Sequence, residues 1–328
     1  MRVDELDEGQ LISRFAAVLP TGERTLLGPG DDCAVVAVPE GSVLVTTDVM
    51  VAGRDFRLDW SAPDEIGARS AAENLADIAA MGARTSSMVV SLVLPEDTDV
   101  DWLVALVAGF GDRACRAGAG VVGGDLSAGD RFMISVTALG WSTVAPVLRS
   151  GAHAGDVLAV AGTLGRSGAG LELLSRGMVD PSIHDDVLLG DLREPVRIFR
   201  AAEPPLEAGP EAAKRGASAM LDVSDGLIMD AGRIASASGV VLELDSELLA
   251  SDVRALDTPA QLCGHPALDW VLFGGEDHPM LAAFPSSATL PPSFRPIGVV
   301  GAVEPEGRPR VRLDGVEISG GWDHFRHA

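Results

Sequence analysis

The chain has 328 residues, 47% of them hydrophobic and 22% charged, which is the composition of a folded globular protein and excludes a disordered one. At this length two domains are the natural expectation. A formal net charge of −23 at pH 7 excludes a general nucleic-acid or anionic-membrane surface, and any phosphate bound here must be met by metal ions, Arg or backbone N–H groups.

Cys33, Cys115 and Cys263 are scattered and contain no CxxC pair, so neither a disulfide framework nor a zinc cluster is expected. The acidic start MRVDELDEGQ is unlike a signal peptide, and no apolar run approaches the roughly 20 residues that span a bilayer. These features predict a soluble, cytoplasmic protein. Lys214 is the only lysine, which rules out a Walker A loop and a protein-kinase strand lysine. If the protein uses ATP, it does so by another architecture.

In chain order, residues 8–18 read as a helix with Leu11, Ile12, Phe15 and Ala16 on its apolar side. The apolar runs 33–38 and 43–45, separated by Pro39-Glu40-Gly41-Ser42, read as two strands. Paired as a hairpin, they would set Asp32 across from Thr46, Thr47 and Asp48. Ser61-Ala62-Pro63-Asp64 opens a helix with a Ser cap, an early Pro and an acid three residues on, and Gly82 stops it. Ser70, Asn74 and Asp77 share one stripe of that helix. Asp77 lies near its C-terminus, where the macrodipole disfavours negative charge by a few tenths of a kcal/mol up to about 1, so its carboxylate is either exposed or held by a cation.

Residues 87–94 read as a strand, 100–116 as an amphipathic helix, 120–125 as a short strand breaking into a glycine turn at Asp125, and 132–139 as another strand. This alternation predicts an α/β domain over residues 1–140. Strand 156–161 leads into the glycine-rich turn 162–170, whose N–H groups could hold an anion, although most such turns serve packing. Strand 218–223, the turn Ser224-Asp225-Gly226, helix 227–238 and strand 240–244 follow. Residues 270–273 run into Gly274-Gly275-Glu276-Asp277, the strand pattern resumes at 279–284, and late strands at 295–300 and 311–313 complete a second domain over 141–328.

Acidic turns recur at Asp31-Asp32, Thr46-Thr47-Asp48, Gly123-Gly124-Asp125, Asp222 to Gly226 and Gly274 to Asp277. One such turn is a surface turn more often than not. Five of them with Asp77, each with Gly, Ser or Thr beside the acid, offer the hard oxygen donors that Mg²⁺ prefers and point to Mg²⁺-dependent phosphate chemistry.

The order and wording of these motifs resemble the thiamine-monophosphate kinase family, of the superfamily that includes aminoimidazole ribonucleotide synthetase and selenophosphate synthetase. The matching stretches are GDDCAVV, TTDV, FRLDWSAPDEIG, NLADIAAMGA, GGDL, LRSGA, LDVSDGL, FGGEDH and GWDHF, in order over nearly the whole chain. The resemblance implies a two-domain α/β (α+β) synthetase-like fold. Its N-terminal mixed sheet, with helices on one side, would bind ATP and Mg²⁺ and pair in a homodimer; its C-terminal α/β domain would complete the active site. The reaction implied is transfer of the γ-phosphoryl group of ATP to thiamine monophosphate, giving thiamine diphosphate. By motif match Asp32, Thr46, Thr47, Asp48, Asp77, Asp125, Asp222 and Asp225 would hold Mg²⁺. Gly124, Asp125, Arg149 and Ser224 would contact ATP, and Asp55, Glu276 and Trp322 the substrate.

Two positions depart from the family. Asp55 stands where the family carries His, and an acid there repels a substrate phosphate unless Arg54 or a metal compensates, or unless it faces the thiazolium or pyrimidine. His278 stands where Tyr is common. The acceptor phosphate is already ionised at neutral pH, its second pKa being about 6, so no general base is expected. A related ATP-dependent enzyme with another substrate is the alternative, but the reactive N-terminal or C-terminal Cys of the neighbouring branches is absent here. A non-catalytic thiamine-phosphate or nucleotide binder would not need so many acids.

Overall fold

The computed structural model describes residues 2, 5, 10, 14–27, 35–37 and 43–322. Residues 8, 9 and 11–13 of the helix expected over 8–18, the Asp31-Asp32 turn and the closing Asp323 to Phe325 lie outside them. The chain divides into two units, residues 1–78 with 83–143 and residues 79–82 with 144–328. Among the described residues no helix is long and apolar enough to cross a membrane.

The first unit contains β1 (Thr25–Leu27), β2 (Val35–Val36), β3 (Leu44–Val51), α1 (Pro63–Ala80), β4 (Arg84–Leu94), α2 (Val100–Arg116), β5 (Gly120–Ala128) and β6 (Met133–Trp141). The expected hairpin does not form. β2 pairs antiparallel with β1, and β3 is the edge of a four-stranded sheet ordered β3-β6-β4-β5. All eight positions of β3 pair with β6, from Leu44↔Gly140 to Val51↔Met133, while β2 takes its partners from β1, Thr25↔Val36 and Leu27↔Val35. β5 also differs from expectation. It does not break at Gly123-Gly124 but continues to Ala128, because its parallel pairing with β4 runs from Ser87↔Gly120 to Leu94↔Ala128.

Side chains alternate across this sheet. Met50, Met88, Leu92, Ile134, Val136 and Ala138 form its buried face, while Val45 and Val49 on the other face are 62% and 51% exposed. The capping of α1 is offset by one residue from expectation. The Ala62 carbonyl takes the first helical N–H, from Ile66 at 3.1 Å, and Glu65 reaches back to the Ala62 N–H at 2.7 Å. Gly82, with φ of +75°, ends the helix as expected.

The second unit runs β7 (Val157–Ala161), α3 (Arg166–Ser175), α4 (Asp186–Leu189), α5 (Arg193–Arg200), α6 (Ala208–Lys214), β8 (Ala219–Asp222), α7 (Leu227–Ser238) and β9 (Val240–Leu244). It continues through α8 (Ala250–Arg254), α9 (Asp257–Cys263), α10 (Ala267–Phe273), β10 (Met280–Phe284), β11 (Arg295–Ala302), β12 (Arg310–Leu313) and β13 (Val316–Ile318). Its seven-stranded mixed sheet is ordered β13-β12-β9-β11-β7-β10-β8, and only the β12–β9 pair is parallel. β8 and β10 are buried along their whole length, which is why their sequences are continuous apolar runs without alternation. The apolar run at 270–273 is the end of helix α10. Its buried side, Ala267, Trp270 and Val271, follows the helical i, i+3, i+4 spacing that starts upstream of the run.

Candidate active site

In the first unit the Thr46-Thr47-Asp48 triplet lies inside β3, not beyond its end. The pleat therefore splits it. Thr46 and Asp48 share the buried face with Val136 and Ala138, and the Thr46 hydroxyl donates to Asp77 Oδ2 on α1 at 2.6 Å. Asp77 is half-buried, so the cost of a carboxylate at this helix end is met by a hydroxyl donor from the sheet. Thr47 is on the opposite face, where its hydroxyl donates to the Val136 carbonyl at 2.8 Å and accepts from Thr137 at 3.0 Å. Asp125 is exposed on β5, the far edge of the sheet, in the register row Val49–Ser135–Ser91–Asp125. That row belongs to the open face. The structure thus joins Thr46 with Asp77, sets Asp48 on the same face of the sheet, and sets Thr47 and Asp125 on the other side within this unit.

Gly124 has a structural role of its own, since a Cβ there would fall 2.0 Å from the Val90 carbonyl oxygen. Asp55 closes the turn after β3: its Oδ2 accepts the Val51 N–H at 2.8 Å. The acid at this departure from the family is thereby turned onto its own backbone, which gives it a local structural reason.

In the second unit one end of the sheet gathers five of the expected residues. Asp222 ends β8 and is 5% exposed. The Ser224 carbonyl accepts the Glu276 N–H at 3.0 Å, and the Asp225 carbonyl accepts the Trp322 N–H at 2.9 Å. Trp322 is 56% exposed. Arg149 is not part of this group. Its carbonyl accepts from Ser238 at the far end of α7, a helix about 18 Å long by its rise of 1.5 Å per residue, and its side chain is exposed.

The turn after β8 is held by groups that sequence reasoning missed. Asp230, fully buried in the first turn of α7, accepts the Ser224 N–H at 3.0 Å and the Asp225 N–H at 2.9 Å through Oδ2. Arg233 bridges Asp230 Oδ1 and Asp225 Oδ2, the latter at 2.5 Å. Burial pushes the Asp230 carboxyl up to about 6 against the opposing pull of Arg233. The signal available in the sequence was the Asp230/Arg233 pair at i,i+3 in a helix that opens on an acidic turn.

The glycine-rich turn before α3 does hold an anion, and it is supplied by the chain itself. Asp277 accepts the Ser167 N–H at 2.7 Å and the Arg166 N–H at 3.1 Å, with a further hydrogen bond from the Thr163 side chain. Gly165 at the helix start has no side-chain cap, so Asp277 caps α3 from a distant segment. Asp277 is fully buried, and desolvation raises its pKa against these donors. The segment is further shaped by Glu276 and His278 in left-handed backbone conformations, φ +69° and +53°. His278 Nδ1 lies 3.0 Å from Asp222 Oδ2, in a pair with almost no solvent contact.

The expected ligands among the described residues are all oxygen donors: the hydroxyls of Thr46 and Thr47 and the carboxylates of Asp48, Asp77, Asp125, Asp222 and Asp225. This donor chemistry fits Mg²⁺ and not a soft metal.

Comparison with known proteins places the chain in a family. Residues 30–142 match the model of the AIR synthase related protein N-terminal domain, and residues 153–277 that of the C-terminal domain. A thiamine-monophosphate kinase of Mycobacterium tuberculosis is 43% identical over 326 residues, covering 98% of this chain and 93% of the relative. The crystal structure of thiamine-monophosphate kinase from Stenotrophomonas maltophilia K279a superposes with a TM-score of 0.79 at 29% identity, covering 95% of this chain and 98% of that one. A structure described as AaThiL complexed with AMPPCP and TMP gives 0.78 at 30% identity, covering 99% of both chains. With the two AIR synthase related domains and relatives matched along their length, the chain belongs to the thiamine-monophosphate kinase family.

Proposed function

We propose that the protein transfers the γ-phosphoryl group of ATP to a phosphate oxygen of thiamine monophosphate, giving ADP and thiamine diphosphate. The observation that carries this reading is the gathering of Asp222, Ser224, Asp225, Glu276 and Trp322 around one turn at the end of β8, in a chain whose relatives bear that enzyme's name. In the reaction the bond between Pγ and the β,γ-bridging oxygen breaks, its electron pair leaving with ADP. A new bond forms between Pγ and the acceptor oxygen. The acceptor is ionised at neutral pH, so no side chain has to remove a proton.

The barrier is the approach of two polyanions, and the protein's part is to position them in line. Asp48 and Asp77 with Thr46, and Asp222 with Asp225, are the groups assigned to Mg²⁺, with Asp32, Thr47 and Asp125 as further candidates and Ser224 assigned to ATP. When bound, Mg²⁺ supplies the positive charge that offsets the phosphates in this lysine-poor chain. Asp230 and Arg233 fix the Ser224-Asp225 turn. The exposed Trp322 ring suits a flat, cationic heterocycle, and Glu276 offers it a negative charge.

The reading also includes a homodimer. The open face of the four-stranded sheet exposes Val45 and Val49 beside Thr47 and Asp125, and a second copy would cover it. Sedimentation should give twice the chain mass, and Val49→Asp should shift it to the monomer; a monomeric parent protein would refute this part. For the activity, purified protein is incubated with ATP, Mg²⁺ and thiamine monophosphate. Thiamine diphosphate should form only with Mg²⁺ present. Equal rates with free thiamine as acceptor would refute the assignment.

A further inference from the structure

His278 is hydrogen-bonded to the acid assigned to the metal and lies near the acid assigned to the substrate. Its Nδ1 is 3.0 Å from Asp222 Oδ2, and its Nε2 is 3.9 Å from Glu276 Oε2. His278 and Asp222 are 4% and 5% exposed, so their contact is dry. The imidazole is not free to swing away. The His278 N–H donates to the Val223 carbonyl at 3.2 Å, the Val223 N–H donates to the Pro279 carbonyl at 2.9 Å, and the Glu276 N–H donates to the Ser224 carbonyl at 3.0 Å. Glu276 and His278 both adopt left-handed backbone, while Asp277 between them is anchored on the start of α3. Two residues in that conformation outside glycine persist only where the surroundings over-determine them.

We propose that His278 is a positioning residue: its Nδ1–H fixes Asp222 Oδ2 so that Oδ1 is presented to a divalent cation. This inference rests on the reading of Asp222 as a metal ligand. A buried histidine whose only task is to fill the core would show the same exposure, but it would not need to hold a carboxylate of the expected site. Partners that orient a metal ligand typically change metal affinity 10–100-fold when removed. Nδ1 can be imitated without the ring, since the Asn amide nitrogen stands near its position and the Gln amide nitrogen lies beyond it, near that of Nε2.

The test is Mn²⁺ binding to the purified protein, followed by the electron paramagnetic resonance of free Mn²⁺, with Asp222→Asn, His278→Ala, His278→Asn and His278→Gln alongside. Thermal unfolding without metal reports folding separately. His278→Ala should weaken Mn²⁺ binding about 10-fold or more, and His278→Asn should restore it to within about 3-fold of the parent. His278→Gln, whose amide nitrogen stands away from the position of Nδ1, should leave Mn²⁺ binding weak. If Asp222→Asn loses Mn²⁺ affinity while His278→Ala keeps it, the positioning role is refuted and the metal reading stands. If Asp222→Asn itself binds Mn²⁺ as the parent does, the metal reading fails, and the inference with it. Equal loss in His278→Ala and His278→Asn, in proportion to their unfolding temperatures, would reduce His278 to a packing residue and refute the proposal.

Discussion

Replacing Asp277 by Ala should destabilise the second unit far more than an ordinary loop substitution. The carboxylate accepts the N–H groups of Ser167 at 2.7 Å and Arg166 at 3.1 Å and a hydrogen bond from Thr163, at a helix start with no cap of its own. Loss of an N-terminal cap costs about 1 kcal/mol, and each buried donor left unmet costs about 1–3 kcal/mol. Against this, Ala removes the desolvation cost of a fully buried carboxyl, the cost that raises its pKa. The balance is about 2–4 kcal/mol, or roughly 5–15 °C in melting temperature for a unit of this size. Asp277→Asn keeps one acceptor and should lose about half as much. The assay is urea unfolding followed by far-UV circular dichroism and tryptophan fluorescence. A stability for Asp277→Ala within about 0.5 kcal/mol of the parent would show that the contact is not a working cap.

Asp48→Asn should reduce turnover more than about 100-fold with an unchanged circular dichroism spectrum; near-normal turnover removes Asp48 from the metal site. Gly124→Ala should destabilise the first unit by about 1–3 kcal/mol in denaturant titration, because the new Cβ meets the Val90 carbonyl 2.0 Å away. Asp230 has a folded-state pKa of about 6 against an ordinary 3.8, so the folded protein takes up this proton first as pH falls, and the group's contribution to stability rises on acidification through the window from about 6 to about 4. The metal-free stability difference between parent and Asp230→Asn should therefore move in favour of the parent by up to about 3 kcal/mol between pH 7.5 and pH 4. Trp322→Ala should raise the KM for thiamine monophosphate with little change in melting temperature, since the ring is largely exposed.

Long, strongly patterned elements were legible in the residues: α2 and α7 have the bounds their apolar spacing and flanking residues predict. The acids of the candidate site were legible as types, but not their facing. Thr46-Thr47-Asp48 reads as one triplet, yet the ladder with β6 runs through it and turns Thr47 to the opposite face. Likewise Gly123-Gly124 looks like a strand end, and Gly124 instead allows β5 to approach β4 closely. Long-range partners were not legible at all. Nothing local announces that Asp277 caps a helix starting 111 residues upstream, or that His278 lies against Asp222. These contacts arise where the loops around β8 and β10 are brought to one end of the sheet by antiparallel pairing, Met280 against Asp222.

The most direct test of the central claim is ³¹P nuclear magnetic resonance of the reaction of ATP with thiamine monophosphate in Mg²⁺. Direct γ-phosphoryl transfer predicts loss of the ATP γ resonance with thiamine diphosphate and ADP appearing in equal amounts. Formation of AMP, or of inorganic phosphate while thiamine monophosphate is unchanged, would contradict it.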